Sequence, residues 1–442
     1  MSGSWLGLPD IRGHGRVLLA AAVDAFGIGV FYPLSFLFLL QHTRLSAASV
    51  GLALSLGTML ALPVGPLLGG PVDRFGPVRL LALSNLVAAT AFMVFLTAHS
   101  FALICVTGFL VMLADRLYWA SWPVYVAEVA QGTELDRWYA LLGMLKNGVV
   151  GAGALVSSVV LAVSARSSDV LLMIDAATSV VAGGLVMSQR HRATGDGERG
   201  DREPDSREHG AAAGAQGVRV LRDRGFVVFC LAFTAISFGW AIPTIALPAY
   251  LVQVVGLPHW LLSAAFGANC VLVFTCQGLV TRALSGARRT RLLAAGAGLF
   301  TVSATLMVAA AEVSRTAGIV VACGSVLSVT AAELVCAPAV NAVVAASAPR
   351  GSVGRYNAVF QLTWTTSTAV APALFGALCQ RGAAALWVAV AALMALGAVG
   401  ALRSERLLPS AAVRSTNSAN STNSAEPSGE PHSDTTSPAT SR

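Results

Sequence analysis

Read for polarity alone, the chain is a series of long apolar runs separated by short polar breaks. The runs fall near 17–40, 47–69, 77–98, 102–126, 140–163, 169–188, 226–252, 260–281, 291–312, 317–340, 357–380 and 383–402. Most reach the roughly 20 residues needed to cross a hydrocarbon core about 30 Å thick. Backbone polar groups in lipid have to be satisfied within the segment, so runs of this length are helices. The weaker alternating pattern of a membrane β-barrel, in segments of about ten residues, is not seen. The pattern predicts an all-α membrane protein with twelve transmembrane helices.

One polar break is far longer than the others. Residues 189–225 include "RHRATGDGERGDREPDSREHG", which mixes both charge signs with Gly and Pro and cannot build a core. The expected organisation is a six-helix bundle over 1–188, a linker over 189–225 and a second six-helix bundle over 226–402. A Ser/Thr/Asn-rich tail over 403–442 reads as disordered. The two sets of six echo each other. Gly29-x-x-x-Pro33 in the first run matches Gly239-x-x-x-Pro243 in the seventh, "GPVDR" at 70–74 matches "GLVTR" at 278–282, and "RWYALLG" at 137–143 faintly matches "RYNAVFQ" at 355–361. Three matches in one order argue for a duplicated unit, and parallel repeats of this kind build transporters with a site where the halves meet.

Charge fixes the expected orientation. Hydrophobic residues make up 55% of the chain and charged residues 12%, about half the charged share of soluble domains, which is roughly 25%. With the N-terminus in the cytoplasm, the inner segments hold 24 Lys and Arg, Lys146 included, and the outer loops hold 4 (Arg44, Arg166, Arg315 and Arg381). That bias places both termini in the cytoplasm. The seven cysteines all lie in apolar runs without a CxxC pair, which suits packing rather than disulfides or metal ligands. No His, Cys, Asp or Glu cluster has metal-ligand spacing, and no nucleophile elbow occurs. The only lysine follows Leu145, so a phosphate loop of the Gly-Lys-Ser/Thr kind is ruled out. The reading is therefore not an enzyme, with no cofactor, no metal and no nucleic-acid partner. Any energy source has to be an ion or substrate gradient.

The stretch "GGPVDRFGPVRL" at 70–81 sets charges and turn formers between two apolar runs. Gly69 and Gly70 allow helices to approach closely, Gly76 permits a tight turn, and Pro77 suits a first helical turn. Asp73 lies near a positive helix N-terminus, while Arg74 and Arg79 hold the loop on the inner side. Taken together, Gly69-x-x-x-Asp73-Arg74-x-Gly76-x-x-Arg79 resembles the signature loop of the major facilitator superfamily. The resemblance extends over the whole hydrophobic chain, and is greatest to the twelve-helix drug/proton antiporters of bacteria. It implies that Gly69, Asp73, Arg74, Gly76 and Arg79 form a latch between the halves that breaks during transport; the alternative is a set of topogenic charges in a sharp turn. Arg116 resembles the buried arginine of a second family motif, although Trp119-Ala120 replaces the usual Gln-Gly. Gly143, Gly148, Gly151 and Gly153 resemble the exporter glycine ladder without its closing proline.

Ionisable groups inside spans are costly and mark candidate sites. Asp24 and Glu333 each lie about seven residues, or roughly 10 Å of helical rise, from the inner end of their spans. Arg116 lies about 15 Å in. The resemblance implies that helices 1, 4, 7 and 10 line a central cavity, and three of these carry such a charge. Asp24 is either a proton carrier or the partner of Arg116. Glu333 is a proton or cationic-substrate site, or else a carboxyl satisfied by a polar neighbour. Asp115 and Arg116, being adjacent, are expected to point apart. Trp119 is a candidate aromatic wall, Trp122 and Tyr125 read as an interfacial belt, and Tyr32, Trp240 and Phe31 flank the paired Gly/Pro bends. Lys146 either snorkels to the cytoplasm or meets an acid, and Asp175 reads as a packing residue. The expected function is proton-coupled export of an amphipathic drug or secondary metabolite by alternating access. The expected setting is a multi-pass protein of the inner or plasma membrane, working as a monomer. The alternative is a nutrient importer or uniporter on the same fold.

Overall fold

The computed structural model describes residues 11, 13–129, 133–163, 168–188, 220–247, 250–251, 258–310, 312–349 and 352–414. Most of the linker and tail expected from the sequence, residues 189–219 and 415–442, lies outside the described residues. Among the described residues every regular element is helical. The long ones are α1 (Gly15–His42), α2 (Ala47–Ala61), α3 (Pro77–Leu96), α4 (Phe101–Val129), α5 (Thr133–Val163) and α6 (Ser168–Met187). They continue as α7 (Arg224–Ala246), α8 (His259–Ala283), α9 (Arg289–Ala310), α10 (Arg315–Ser347), α11 (Val353–Gln380) and α12 (Ala383–Ser404).

Eleven of these are long and apolar enough to cross a membrane; α2 is not. Of the twelve expected spans, the second is thus the one that the described helices do not complete. With 15 residues, α2 rises only about 22 Å, short of the hydrocarbon core. The run breaks at Leu62 and Pro63, whose missing N–H and rigid ring end the helical ladder. It resumes as two short helices, Val64–Leu67 and Gly69–Phe75. Other helices exceed their apolar runs. Thr133–Val163 and Arg315–Ser347 extend about two turns past the expected ends, because helical hydrogen bonding does not stop where apolar sequence stops.

The first six helices and the last six pair in the same way. α3 packs on α4 and on α6, as α9 packs on α10 and on α12. Likewise α1 packs on α5 and α6 as α7 packs on α11 and α12, and α2 meets α4 as α8 meets α10. Each set also bends at its matched proline. The chain tightens into a 3-10 turn at Tyr32–Leu34, which contains Pro33. In α7 a 3-10 turn at Phe238–Ala241 leads into a π turn at Ile242–Ala246, which contains Pro243. Caps mark two starts: Ser46 accepts from the Ser49 N–H at α2, and Asp223 from the Phe226 N–H at α7. The Asp223 carboxylate also accepts from the Tyr356 hydroxyl at 2.9 Å, tying α7 to α11.

Residues 403–414, read above as the start of a disordered tail, are packed instead. Ser404 closes α12, and Ser410–Val413 forms a further helical turn with Ala412 and Val413 buried. The anchor is Glu405, which accepts from the Thr290 hydroxyl at 2.6 Å and pairs with Arg288. Arg289 donates to the Ala411 and Ala412 carbonyls at 2.9 and 3.3 Å. The Thr290 hydrogen bond holds the Glu405 carboxyl below the usual carboxylate range. Arg288 and Arg291 act in the same direction and burial opposes them. A carboxylate lowered in the folded state stabilises above its ordinary pKa, and that contribution fades as pH falls through the lowered value. Acidification, not alkalinisation, should therefore release this segment. Glu405→Ala leaves the Thr290 and Arg288 donors unsatisfied and should cost about 1–3 kcal/mol. Thermal unfolding of purified protein at neutral pH reads the cost as a lower melting temperature, and the gap to wild type should narrow on acidification.

Candidate functional site

The two sets of six helices meet along two lines, α2 against α11 and α5 against α8. Contact is closest at the end away from residues 188 and 220. A Cβ on Gly51 of α2 would collide with the Pro372 carbonyl of α11, and one on Gly376 of α11 with the Ala47 carbonyl of α2. The Ala373 N–H donates to Ser55 Oγ at 3.0 Å. On the other line, a Cβ on Gly267 would lie 3.0 Å from the Leu155 side chain, and Gly151 abuts Cys270 and Val271. The Ser157 and Ser263 hydroxyls share a hydrogen bond of 3.2 Å. At the same end Gln41 bonds His259 at 2.9 Å, and the Tyr32 ring lies 6.1 Å from that of Phe266.

Followed toward the opposite end, α5 and α8 diverge. Gly148 still meets the Phe274 ring at 3.6 Å, but Gly143 on α5 and Gly278 on α8 face open space. Of the glycine ladder, Gly148 and Gly151 face α8 across the line between the halves, Gly153 faces the Phe26 carbonyl of α1 in its own half, and Gly143 faces open space. Gly70 also faces open space, so it is not the close-approach residue that the sequence suggested. The halves are joined at one end and spread at the other.

The charged candidates lie in this spread region or just beneath it. Arg116 on α4 donates to Thr365 Oγ1 of α11 and to Met112 Sδ, both at 3.3 Å, and lies 3.6 Å from Asp115. Asp115 and Arg116 thus converge rather than point apart, because the long arginine side chain curls back over its neighbour. The Arg116–Thr365 bond is also the point where α4 reaches across to the other half. Asp24 is not the described partner of Arg116. The cation facing Asp24 is Lys146 on α5, which also faces Asp115. Lys146 Nζ lies 5.2 Å from the Trp119 ring centre and 5.7 Å from that of Tyr118, within cation–π range. The sole lysine therefore lies over two aromatic rings, within electrostatic range of both acids. Asp175 is buried on α6, its carboxylate against Gly27, one turn along α1 from Asp24.

In the second half Glu333 stands apart. Asn269 Nδ2 on α8 donates to Glu333 Oε2 and to Thr330 Oγ1, each at 3.0 Å. The carboxylate thus has the polar neighbour weighed as an alternative, and that neighbour is an amide rather than a cation. Asn269 also ends a narrow apolar crevice between α7, α8 and α10, lined by Leu251, Leu262 and Val329.

The aromatic candidates divide. Trp119 is 51% exposed and Tyr32 47% exposed. Trp240 packs on Phe233, Phe300 and Trp364, and Trp364 on α11 is itself 38% exposed. Phe31, by contrast, is buried among Phe38, Phe92 and Phe95 and leaves the list. Trp122 and Tyr125 are buried too, stacked with Tyr118, and His14 bonds the Tyr125 hydroxyl at 2.9 Å. They are core of the first half, not an interfacial belt. The sequence had not selected Thr365, Trp364, Asn269 as a partner of Glu333, or the Ser157–Ser263 pair. Polar residues inside spans were the available signal for most of them.

Of the loop candidates, Gly76 has φ of +79°, a conformation that favours glycine, and Pro77 starts α3. Arg79 is exposed, and Arg74 lies 5.4 Å from the Phe75 ring. The Asp73 side chain and Gly69 lie outside the described residues as far as contacts are concerned.

A family model described as Major Facilitator Superfamily matches residues 17–332. The chain belongs to the major facilitator superfamily. It is a multi-pass membrane transporter of a small-molecule substrate, not an enzyme. No curated protein matches it in sequence. Among solved structures it resembles a mutant of the nucleoside transporter NupG, with TM-score 0.68 and 12% identity over 90% of this chain and 100% of that one. It also resembles a bacterial homologue of the iron transporter ferroportin in an inward-facing state, with TM-score 0.67 and 15% identity over 91% and 99%. A peptide transporter in complex with alafosfalin gives 0.65 and 14% over 92% and 97%. At these identities the likeness shows the fold.

The tight end of the superfamily scaffold makes a direct prediction. Enlarging a packed glycine costs about 1–3 kcal/mol, comparable to the few kcal/mol that separate two conformations of one protein. Gly51→Val should therefore depopulate this arrangement. In a background lacking the native cysteines, Ser157→Cys with Ser263→Cys should cross-link under mild oxidation. Adding Gly51→Val should lower the cross-linked fraction severalfold; an unchanged fraction would show that this end does not separate.

Proposed function

We propose that the protein exports amphipathic small molecules, drugs or secondary metabolites, in exchange for protons by alternating access. It does so as a monomer in the inner or plasma membrane, with both termini in the cytoplasm. The observation that carries this reading is a pair of half-buried carboxylates within the spans, one from each half: Asp24 on α1 and Glu333 on α10. Protonating Glu333 leaves no cation stranded, since its described partner is the Asn269 amide. A group of that kind can take up and release a proton without breaking an ion pair. Asp24 has a cation at hand in Lys146, so loading and emptying it rearranges the Lys146, Trp119 and Tyr118 cluster. Trp119, Trp364, Tyr32 and Trp240 offer flat apolar surface to a substrate, with Asp115 as a polar anchor.

The Lys and Arg bias of the loops supports a cytoplasmic position for the spread end, which on this reading faces inward. Asp73, Arg74 and Arg79 then belong to a latch that closes when the halves meet on that side. Residues 1–188 and 226–402 act as the two rocking bodies.

Uptake of a labelled panel into inverted vesicles, with and without an imposed proton gradient, tests the assignment. Glu333→Gln and Asp24→Asn should each cut gradient-driven uptake by at least about tenfold, equivalent to about 1.4 kcal/mol on the coupled step, while substrate binding stays within a few-fold of wild type. Wild-type rates in both variants would remove protons as the coupling ion. Movement of substrate only in the opposite direction would make the protein an importer.

A further inference from the structure

A polar surface pocket lies at the end of the bundle where α12 stops. After Ser404 the chain turns across the start of α9, with Leu407 against Gly225 of α7. Arg289 hooks it down through the carbonyls of Ala411 and Ala412. The turn and α9 border an open surface pocket of about 640 Å³, lined by Arg288, Arg291, Arg406 and Arg414. Glu405 is the acid among its lining residues.

Among the described residues the charge there is not balanced. Glu405 pairs with Arg288 and lies 3.9 Å from Arg291, which leaves an excess of guanidinium groups in one pocket. The excess also sits in an unfavourable place. α9 is a 22-residue helix, and its N-terminus carries the positive end of the helix dipole, where cations are disfavoured and anions favoured. Three arginines, 288, 289 and 291, cluster at that end. Among the described residues this positive charge beside open volume favours an anion. Guanidinium groups arranged around a shared space suit the several oxygens of a phosphate, which they can hold through paired hydrogen bonds.

The surroundings indicate what carries the phosphate. Ser404 is the last residue of a membrane span, so the pocket sits at headgroup depth. Leu408 and Val413 line it on the apolar side, and Leu402 and Leu407 stand exposed next to it. A free phosphate would use the arginines and leave this apolar rim uncovered. A phospholipid would use both, and basic pockets at membrane-spanning helix ends are suited to such headgroups.

We propose that this pocket binds the phosphate of an anionic phospholipid, which fastens residues 405–414 to α9. The proposal is independent of the transported substrate and of the coupling ion. Full-length protein purified in detergent is unfolded thermally with phosphatidylglycerol, phosphatidylcholine or inorganic phosphate added. Phosphatidylglycerol should raise the melting temperature by roughly 3 °C, phosphatidylcholine should not, and salt near about 0.5 M should erase most of the shift. Arg291→Gln with Arg406→Gln should remove at least half of the shift while leaving the melting temperature in phosphatidylcholine unchanged. Native mass spectrometry of the wild-type protein should retain phosphatidylglycerol in preference to phosphatidylcholine. Equal shifts from both lipids, or a full shift in the double variant, would overturn the site. A shift from millimolar inorganic phosphate equal to that from phosphatidylglycerol would overturn the lipid and assign a free phosphate anion.

Discussion

Backbone-to-backbone contact at one end of the molecule governs the rest of its architecture. Gly51 against Pro372 and Gly376 against Ala47 bring helices of different halves closer than any side chain would allow, and Gly151 lies tightly against α8. In lipid there is little hydrophobic gain in joining one apolar helix to another, so association depends on close packing and on interhelical hydrogen bonds. Such bonds are worth about 0.6 kcal/mol on average in a membrane. The Ser157–Ser263 and Ser55–Ala373 bonds are therefore small terms beside the packing. A joint made of many weak contacts between small residues can form and separate without a large barrier.

Because the halves are joined at one end, the charged residues are presented at the other. The two halves handle charge differently. The first gathers Asp24, Asp115, Arg116 and Lys146 close to one another, with Tyr118 and Trp119 over the lysine. Its charges are mutually compensated, and changing one disturbs the others. The second half holds Glu333 with an amide and a hydroxyl network through Asn269 and Thr330. A repeat that keeps the same helix pairings has thus diverged in the chemistry of its two members. Only Arg116 reaches across to the other half among the described charged contacts, through Thr365.

Much of the fold was legible in the sequence. The apolar runs located the helices, and the matched Gly29/Pro33 and Gly239/Pro243 bends fell at equivalent places in α1 and α7. Failures have local causes. Leu62 and Pro63 break a run that hydropathy treats as continuous. α5 and α10 outrun their apolar stretches because hydropathy reports solvent and not helix length. Glu405, in a segment of polar composition, becomes an anchor because Thr290 and Arg288 lie across from it, which composition cannot reveal. The candidate site was legible as a set of residue types and not as a set of pairs. Asp24, Asp115, Arg116 and Glu333 stand out as charges in apolar surroundings, whereas their partners Lys146, Thr365 and Asn269 depend on how helices rotate against each other. The same rotation turns Trp122, Tyr125 and Phe31 into core, although on a helical wheel they look as available as Trp119.

The sequence by itself determined that the chain enters the membrane, where most of its long apolar helices lie, and which residues would be costly there. These are local properties, set by one solvent of fixed thickness and by the transfer cost of each side chain. It could not determine which faces meet. Ser55 and Ala373, joined by a hydrogen bond, are 318 positions apart. An apolar helix face also carries no polar contrast to say whether lipid or another helix covers it. That choice rests on shape, on where glycines allow approach, and only the packed tertiary structure makes it.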